Sequence, residues 1–165
     1  MLEQPRQVPS VAAILAPILA RVAVADQPLL LALAERMAAA RYRAWAEREG
    51  DAADRVLLLG CAEREDEVAA RIESLRPDAK AVQQRLLEQN PDLVELNREL
   101  FAGRPLREQY AIQAKGERLG ANTWKAVAGA SKHAAVRELF LACATLEEES
   151  AMVLETLLQR NRMLD

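Results

Sequence analysis

Cysteine, histidine, glycine and aromatic residues are scarce in this chain, and each scarcity narrows what it can be. Two cysteines among 165 residues, with no Cys-x-x-Cys, build neither a disulfide framework nor a zinc-ribbon or rubredoxin-type centre. They fit a reducing compartment, so a cytoplasmic location is the expectation. Aromatics make up 4% of the residues and glycines number six, while 51% are hydrophobic. Alanine and leucine therefore carry the apolar content, which favours helix over sheet. Basic excess is missing too: the net charge is -3 and the pI near 5.4, which argues against a nucleic-acid partner. Arg36, Arg41, Arg43 and Arg48 sit among Glu35, Glu47 and Glu49 and read as a solvated helix face. No apolar run is long enough for a bilayer, because Val11 to Ala20 is short and carries Pro17. A membrane partner is not expected.

That apolar stretch also has to be weighed as a targeting segment, since Ala23-Val24-Ala25 before Asp26 resembles a small-residue cleavage site. Glu3 beside Arg6, Pro17 within the stretch and Arg21 after it depart from the signal pattern. The expectation is a short leading helix capped by Ser10, which either covers its own protomer or builds a homodimer.

Helix signals then divide the chain. Pro28 after Asp26 opens a helix from about Gln27 to Glu49, and Gly50 stops it with Asp51 placed to cap the next. The second helix runs toward Arg76, where Pro77 imposes a boundary. Asn90-Pro91 and Gly103-Arg104-Pro105 separate two short helices, near Pro77 to Gln89 and Pro91 to Ala102. A third long helix is expected over Leu106 to Val127, a turn over Gly129 to Ser131, and a fourth helix from Ser131 nearly to the C-terminus. Nothing reads as a strand. The result is one all-α domain over residues 1–165: repeat one about 28–76, a helical crossover about 77–104, and repeat two about 105–160.

The repeat itself is visible when Leu57 to Leu75 is laid on Leu139 to Leu157, an offset of 82 residues at which nine of nineteen positions are identical. Cys61 matches Cys143, Glu65 matches Glu147, and Glu73 matches Glu155. At the same offset Glu35-Arg36 pairs with Glu117-Arg118, Tyr42 with Trp124, and Arg55 with Arg137. The repeated unit is thus a helix pair, and two antiparallel hairpins can bury their apolar faces on each other as a four-helix bundle.

Helical spacing places one glutamate of each long helix on its apolar stripe. The stripes read Leu31, Glu35, Ala38, Tyr42, Trp45; Leu58, Cys61, Glu65, Val68, Ile72, Leu75; Leu106, Tyr110, Gln113, Glu117, Gly120, Trp124; and Phe140, Cys143, Glu147, Ser150, Leu154, Leu157. Glu35 to Glu65 and Glu117 to Glu147 are each thirty residues apart, which sets all four at similar depth.

Glu-x6-Tyr on one helix and an inward glutamate on the next, in a duplicated hairpin, resembles the ferritin-like superfamily and especially its rubrerythrin-related branch, over roughly residues 28 to 160. The resemblance implies that Glu35, Glu65, Glu117 and Glu147 are the four carboxylates of a di-metal site, iron or manganese, used for oxygen, peroxide or iron chemistry. It implies a homo-oligomer, a dimer being the simplest. Tyr42 matches the family's tyrosine, whereas the two histidine positions read Val68 and Ser150, and the only histidine, His133, lies elsewhere.

Four carboxylates in a core require cations, protons or basic partners. An all-oxygen set suits hard ions such as Mn²⁺, Mg²⁺, Ca²⁺ or iron. The alternative is a metal-free binding or structural bundle in which shared protons and water join the carboxyl groups. No Lys or Arg lies on the inward stripes, although a long arginine from a flanking position can reach in. Cys61 and Cys143 are expected to pack as small hydrophobes. Gly116 and Gly120, costly inside a helix, point to a close approach around Glu117. His133, at a helix start, is expected to be solvated and is given no role.

Overall fold

A computed structural model describes residues 10–162, and Glu3 and Arg6 lie outside the described residues. Among the described residues seven α-helices follow one another in the order α1 (Val11–Ala20), α2 (Gln27–Arg48), α3 (Ala52–Glu73), α4 (Ala79–Gln89), α5 (Asp92–Phe101), α6 (Leu106–Ala130) and α7 (Ala134–Arg162). A 3-10 turn, Val24–Asp26, precedes α2, and no strand occurs among the described residues. The all-helical expectation is met.

Local chemistry explains most of the ends. Pro28 occupies the first turn of α2, where its missing N–H costs nothing. Asp51 caps α3 by accepting from the Asp54 N–H at 2.9 Å. The chain leaves α2 before Gly50 as expected, though without a left-handed backbone there, the only positive φ among the described residues being that of Gly103. Three other expectations shift. Ser10 stands at the N-cap of α1 but makes no side-chain cap bond. α3 stops at Glu73, three residues short of Arg76, with Ser74 as its C-cap. Gly129 is inside α6, which continues to Ala130, and α7 starts at Ala134 rather than Ser131. The loop between α6 and α7 is thus carried by an extended Ser131 instead of a glycine turn.

Helices α2 and α3 form one antiparallel hairpin, and α6 and α7 form the other. Their ties repeat at the 82-residue offset. Arg36 Nη2 meets Glu73 Oε2 at 2.7 Å, and Arg118 Nη2 meets Glu155 Oε2 at 2.7 Å. Arg43 pairs with Asp66, as Lys125 does with Glu148. Arg55 donates to the Glu49 carbonyl and Arg137 to the Ser131 carbonyl. The duplicated sequence therefore folds into duplicated contacts. Each exposed pair contributes only about 0.2–1 kcal/mol, so these ties fix register more than stability.

The hairpins meet mainly along α3 and α7. Between α2 and α6 the gap is wider and is bridged by long side chains, with Trp45 Nε1 donating to Gln109 Oε1 at 2.8 Å. α1 and α5 lie over that gap, α1 packing on α6 and α5 of its own chain with Ile18 buried. α1 therefore packs on its own chain.

Buried apolar residues fall into two groups. One contains Leu29, Leu30, Val68, Ile72, Leu93, Trp124 and Phe140. The other contains Tyr42, Trp45, Leu58, Cys61, Tyr110, Ile112 and Leu154. Of the expected stripes only Leu75, beyond the end of α3, turns out to solvent. Between the two apolar groups lies a polar layer. None of the helices described is long and apolar enough to cross a membrane.

Candidate metal centre

The polar layer is made by the glutamates that the helical spacing turns inward. Glu65, Glu117 and Glu147 are at most 1% exposed. Glu35 is half-buried, and it lines the wall of a cavity of about 290 Å³ between α1, α2, α5 and α6. One carboxylate oxygen each from Glu35, Glu65 and Glu147 lies within 4.8 Å of the other two. Oxygens that share an ion at about 2.3–2.6 Å can be at most about 5 Å apart, so these three can close on one cation.

Glu117 stands apart from this trio. Its Oε1 accepts the Tyr42 hydroxyl at 2.6 Å and the Gln113 amide at 2.7 Å. Gln113 in turn accepts from the Arg41 guanidinium, which also donates to Asn97 and lies 3.8 Å over the Phe101 ring. Arg41 is thus the flanking arginine that reaches inward, and its assignment to a solvated face is corrected. Burial lowers it only to about 10, and Tyr42 and the glutamates oppose that fall, so it stays charged at neutral pH.

Glu65 and Glu147 are held from α7 and α6. Ser150 donates its hydroxyl to Glu65 Oε1 at 2.9 Å and accepts from Arg64 Nε at 3.2 Å. The other oxygen, Oε2 of Glu65, is buried, and among the described residues no N–H or hydroxyl reaches it, which leaves a proton shared with a neighbouring carboxyl group or a cation to meet it. Such an orphan is costly, of order 1–3 kcal/mol, unless a proton or cation meets it. Trp124 Nε1 donates to Glu147 Oε1 at 3.2 Å. A β-carbon on Gly120 would stand 2.8 Å from Glu147 Oε2, so the glycine leaves the space that this carboxyl group fills. Gly116 does the same for α1, its place for a side chain being taken by Val11 at 3.2 Å.

Burial, the largest cause, and the charges of neighbouring glutamates raise the carboxyl groups of Glu35, Glu65 and Glu147. Glu35 is pushed up to about 7, with Arg41 and hydrogen bonds to Glu147 and Glu65 opposing the rise; the other two go well above the usual carboxylate range. Burial, with Glu117 next, also raises Tyr42, which therefore remains a donor at neutral pH. The cluster attracts protons or a cation.

No family model, curated protein or solved structure matches the chain. What the site can do has to come from its own geometry.

Of the four glutamates singled out from the sequence, three converge and the fourth is tied to Tyr42 and Gln113. Val68 is fully buried in the first apolar group, and Ser150, fully buried, serves Glu65. Neither position offers nitrogen. The spacing turns Gln113 inward without naming a partner for it, reads Arg41 as solvated, and gives Arg64 no role. Gln113 carries a usable signal, four residues before Glu117 on the same face. Arg41 and Arg64 each precede an inward residue, and only their length lets them bend back. Cys61 and Cys143 are free and buried; burial raises both thiols, Cys143 to about 11, so neither is a thiolate at neutral pH. His133 is exposed.

Proposed function

We propose that this chain is a ferritin-like, rubrerythrin-related protein that holds a hard metal ion, iron or manganese, on Glu35, Glu65 and Glu147 and serves oxygen or peroxide chemistry. The observation that carries the reading is the convergence of three carboxylate oxygens beside the buried Oε2 of Glu65, which no N–H or hydroxyl of the described residues reaches. The superfamily assignment is supported by two hairpins with repeated ties, one inward glutamate on each long helix, and a crossover made of α4 and α5.

Bound there, such an ion supplies a Lewis-acidic, redox-capable centre. The chain's own residues set its surroundings. Ser150 and Arg64 orient Glu65, Trp124 holds Glu147, and Tyr42 with Gln113 keeps Glu117 beside the trio as a fourth carboxylate. Arg41 adds one positive charge to a layer of four acids. With oxygen donors only, the site discriminates poorly between first-row ions by ligand type, and availability selects.

A metal-free binding or structural bundle is the second reading, favoured by the apolar Val68 in place of an imidazole and by the protonation of the raised glutamates. Protein produced with iron or with manganese in the medium separates the two by elemental analysis and EPR. The expected result is about one ion per chain, with affinity reduced by about tenfold or more in Glu65→Gln. A parent that is folded by circular dichroism and retains no ion from either medium would leave the metal-free bundle as the function.

A further inference from the structure

The cavity beside Glu35 is not needed to bind a metal ion, yet it extends from the carboxylate layer to α1. Its inner end is formed by Glu35, Glu117 and Glu147, and its walls by side chains such as Leu15, Leu19, Leu31 and Leu93. The other polar residues on the wall are largely occupied with each other. Arg41 bonds Gln113 and Asn97, Gln113 bonds Glu117, and Asn97 donates to the Met37 sulfur at 2.9 Å. Their hydrogen-bonding capacity is mostly spent inside the protein, so a guest meets a predominantly apolar surface.

We infer that this cavity binds a neutral, apolar small molecule with one end against the Glu35–Glu147 side of the carboxylate layer. A cavity of about 150 Å³ lined by aliphatic side chains accommodates benzene. One of about 290 Å³ has room for a guest of roughly ten to twelve non-hydrogen atoms, near the lower end of ordinary ligand sites. Desolvation selects against anions, because the inner end is lined by carboxyl groups and the one guanidinium there already serves Gln113 and Asn97. Small residues line the space, the alanines of α2 opening onto it and the glycines of α6 admitting Val11 and Glu147 at its edge. Ala34 and Ala38 of α2 and Gly116 and Gly120 of α6 face it, and they are each other's counterparts at the 82-residue offset. The same positions on both sides of the α2–α6 gap are thus small.

The inference deepens the metal reading, since it would give the centre an apolar substrate, but binding itself does not require the ion. Naphthalene is the probe, titrated into metal-free full-length protein and followed by NMR. The result expected is saturable binding with intermolecular contacts to methyl groups of Leu15, Leu19 and Leu31. Affinity should fall about tenfold in Ala38→Phe, and 1-naphthoate should bind about tenfold more weakly than naphthalene. Ala34→Phe, at a half-buried wall position, is the second variant should Ala38→Phe not fold. Absence of saturable binding, contacts only to residues outside the cavity, or unchanged affinity in a folded filled variant would overturn the inference. Naphthalene binding in a protein that retains no metal would defeat the metal reading alone, and metal without naphthalene binding this one alone.

Discussion

A β-carbon at Gly120 would stand 2.8 Å from Oε2 and 3.0 Å from Cδ of Glu147, distances that side-chain carbons do not tolerate. In an isolated helix Gly→Ala gains about 1 kcal/mol. Here the gain opposes a displacement of a packed carboxyl group that also accepts from Trp124. Gly120→Ala is therefore expected to leave thermal stability within about 1 kcal/mol of the parent while weakening Mn²⁺ binding about tenfold. Calorimetric titration with a thermal melt on the same sample checks both. Unchanged affinity would mean that Glu147 is not a ligand in the position seen. The arginines show why such detail escapes a sequence. Arg36, Arg41 and Arg43 belong to one helix, yet Arg36 and Arg43 tie α2 to α3 from outside while Arg41 turns into the α2–α6 gap. Spacing tells where a Cα points, but a side chain this long chooses its direction by the partners it finds.

At the scale of the element, the sharpest contrast is between two expected caps. The Asp51 side chain accepts the Asp54 N–H, whereas the Ser10 side chain makes no cap bond at the start of α1. Asp51→Ala should cost about 1 kcal/mol and Ser10→Ala less than about 0.5 kcal/mol, as measured by urea unfolding. Equal losses would show that α1 is capped differently from the geometry described. Most helices were legible because proline and aspartate act locally: Pro28, Asp51, Pro77, Pro91 and Pro105 each constrain the backbone wherever the rest of the chain lies. The inward glutamates were legible for a related reason, since they share the 3.6-residue period of their apolar neighbours. Gly129 misled because a glycine only permits a turn. Gly129 stays helical and the chain leaves α6 through an extended Ser131. The cavity was not legible at all, because it depends on how far apart α2 and α6 settle and on α1 lying across them.

The whole molecule departs from its own duplication at the layer where charge is buried. The outer ties repeat, but Tyr42 reaches across to Glu117 on α6, while its counterpart Trp124 bonds Glu147 on the helix it is paired with. Gln113, Ser150, Arg41 and Arg64 correspond to Leu31, Val68, Thr123 and Leu146, so these four partners of the layer each occur in one repeat only. An asymmetric set of donors leaves the trio of Glu35, Glu65 and Glu147 short of positive charge, and this has a consequence for stability. Glu35 is raised to about 7 in the folded protein against 4.5 ordinarily, and Glu65 and Glu147 are also raised well above the ordinary value. Between those values the native state keeps protons that the unfolded chain has released, so unfolding free energy falls as pH rises. The stabilisation is fully present below about 4.5, is lost through about 7 for Glu35, and is lost in the same direction for the other two as pH rises through their raised values. Asp66 and Glu73, lowered by Arg36 and Arg43, act the other way only in acid, where stability falls as they protonate. Metal-free protein should therefore be most stable near about pH 5 and lose roughly 3 kcal/mol or more by pH 8, an order-of-magnitude figure from the Glu35 shift. Saturating Mn²⁺ should remove most of that loss, because the ion binds the ionised cluster of the native state and not the unfolded chain. Urea unfolding of the chelated protein at pH 5, 6, 7 and 8, with and without Mn²⁺, measures both. A metal-free profile that is flat or rising over that range would show that the three carboxyl groups are already ionised and compensated, and the demand for a cation would disappear with it.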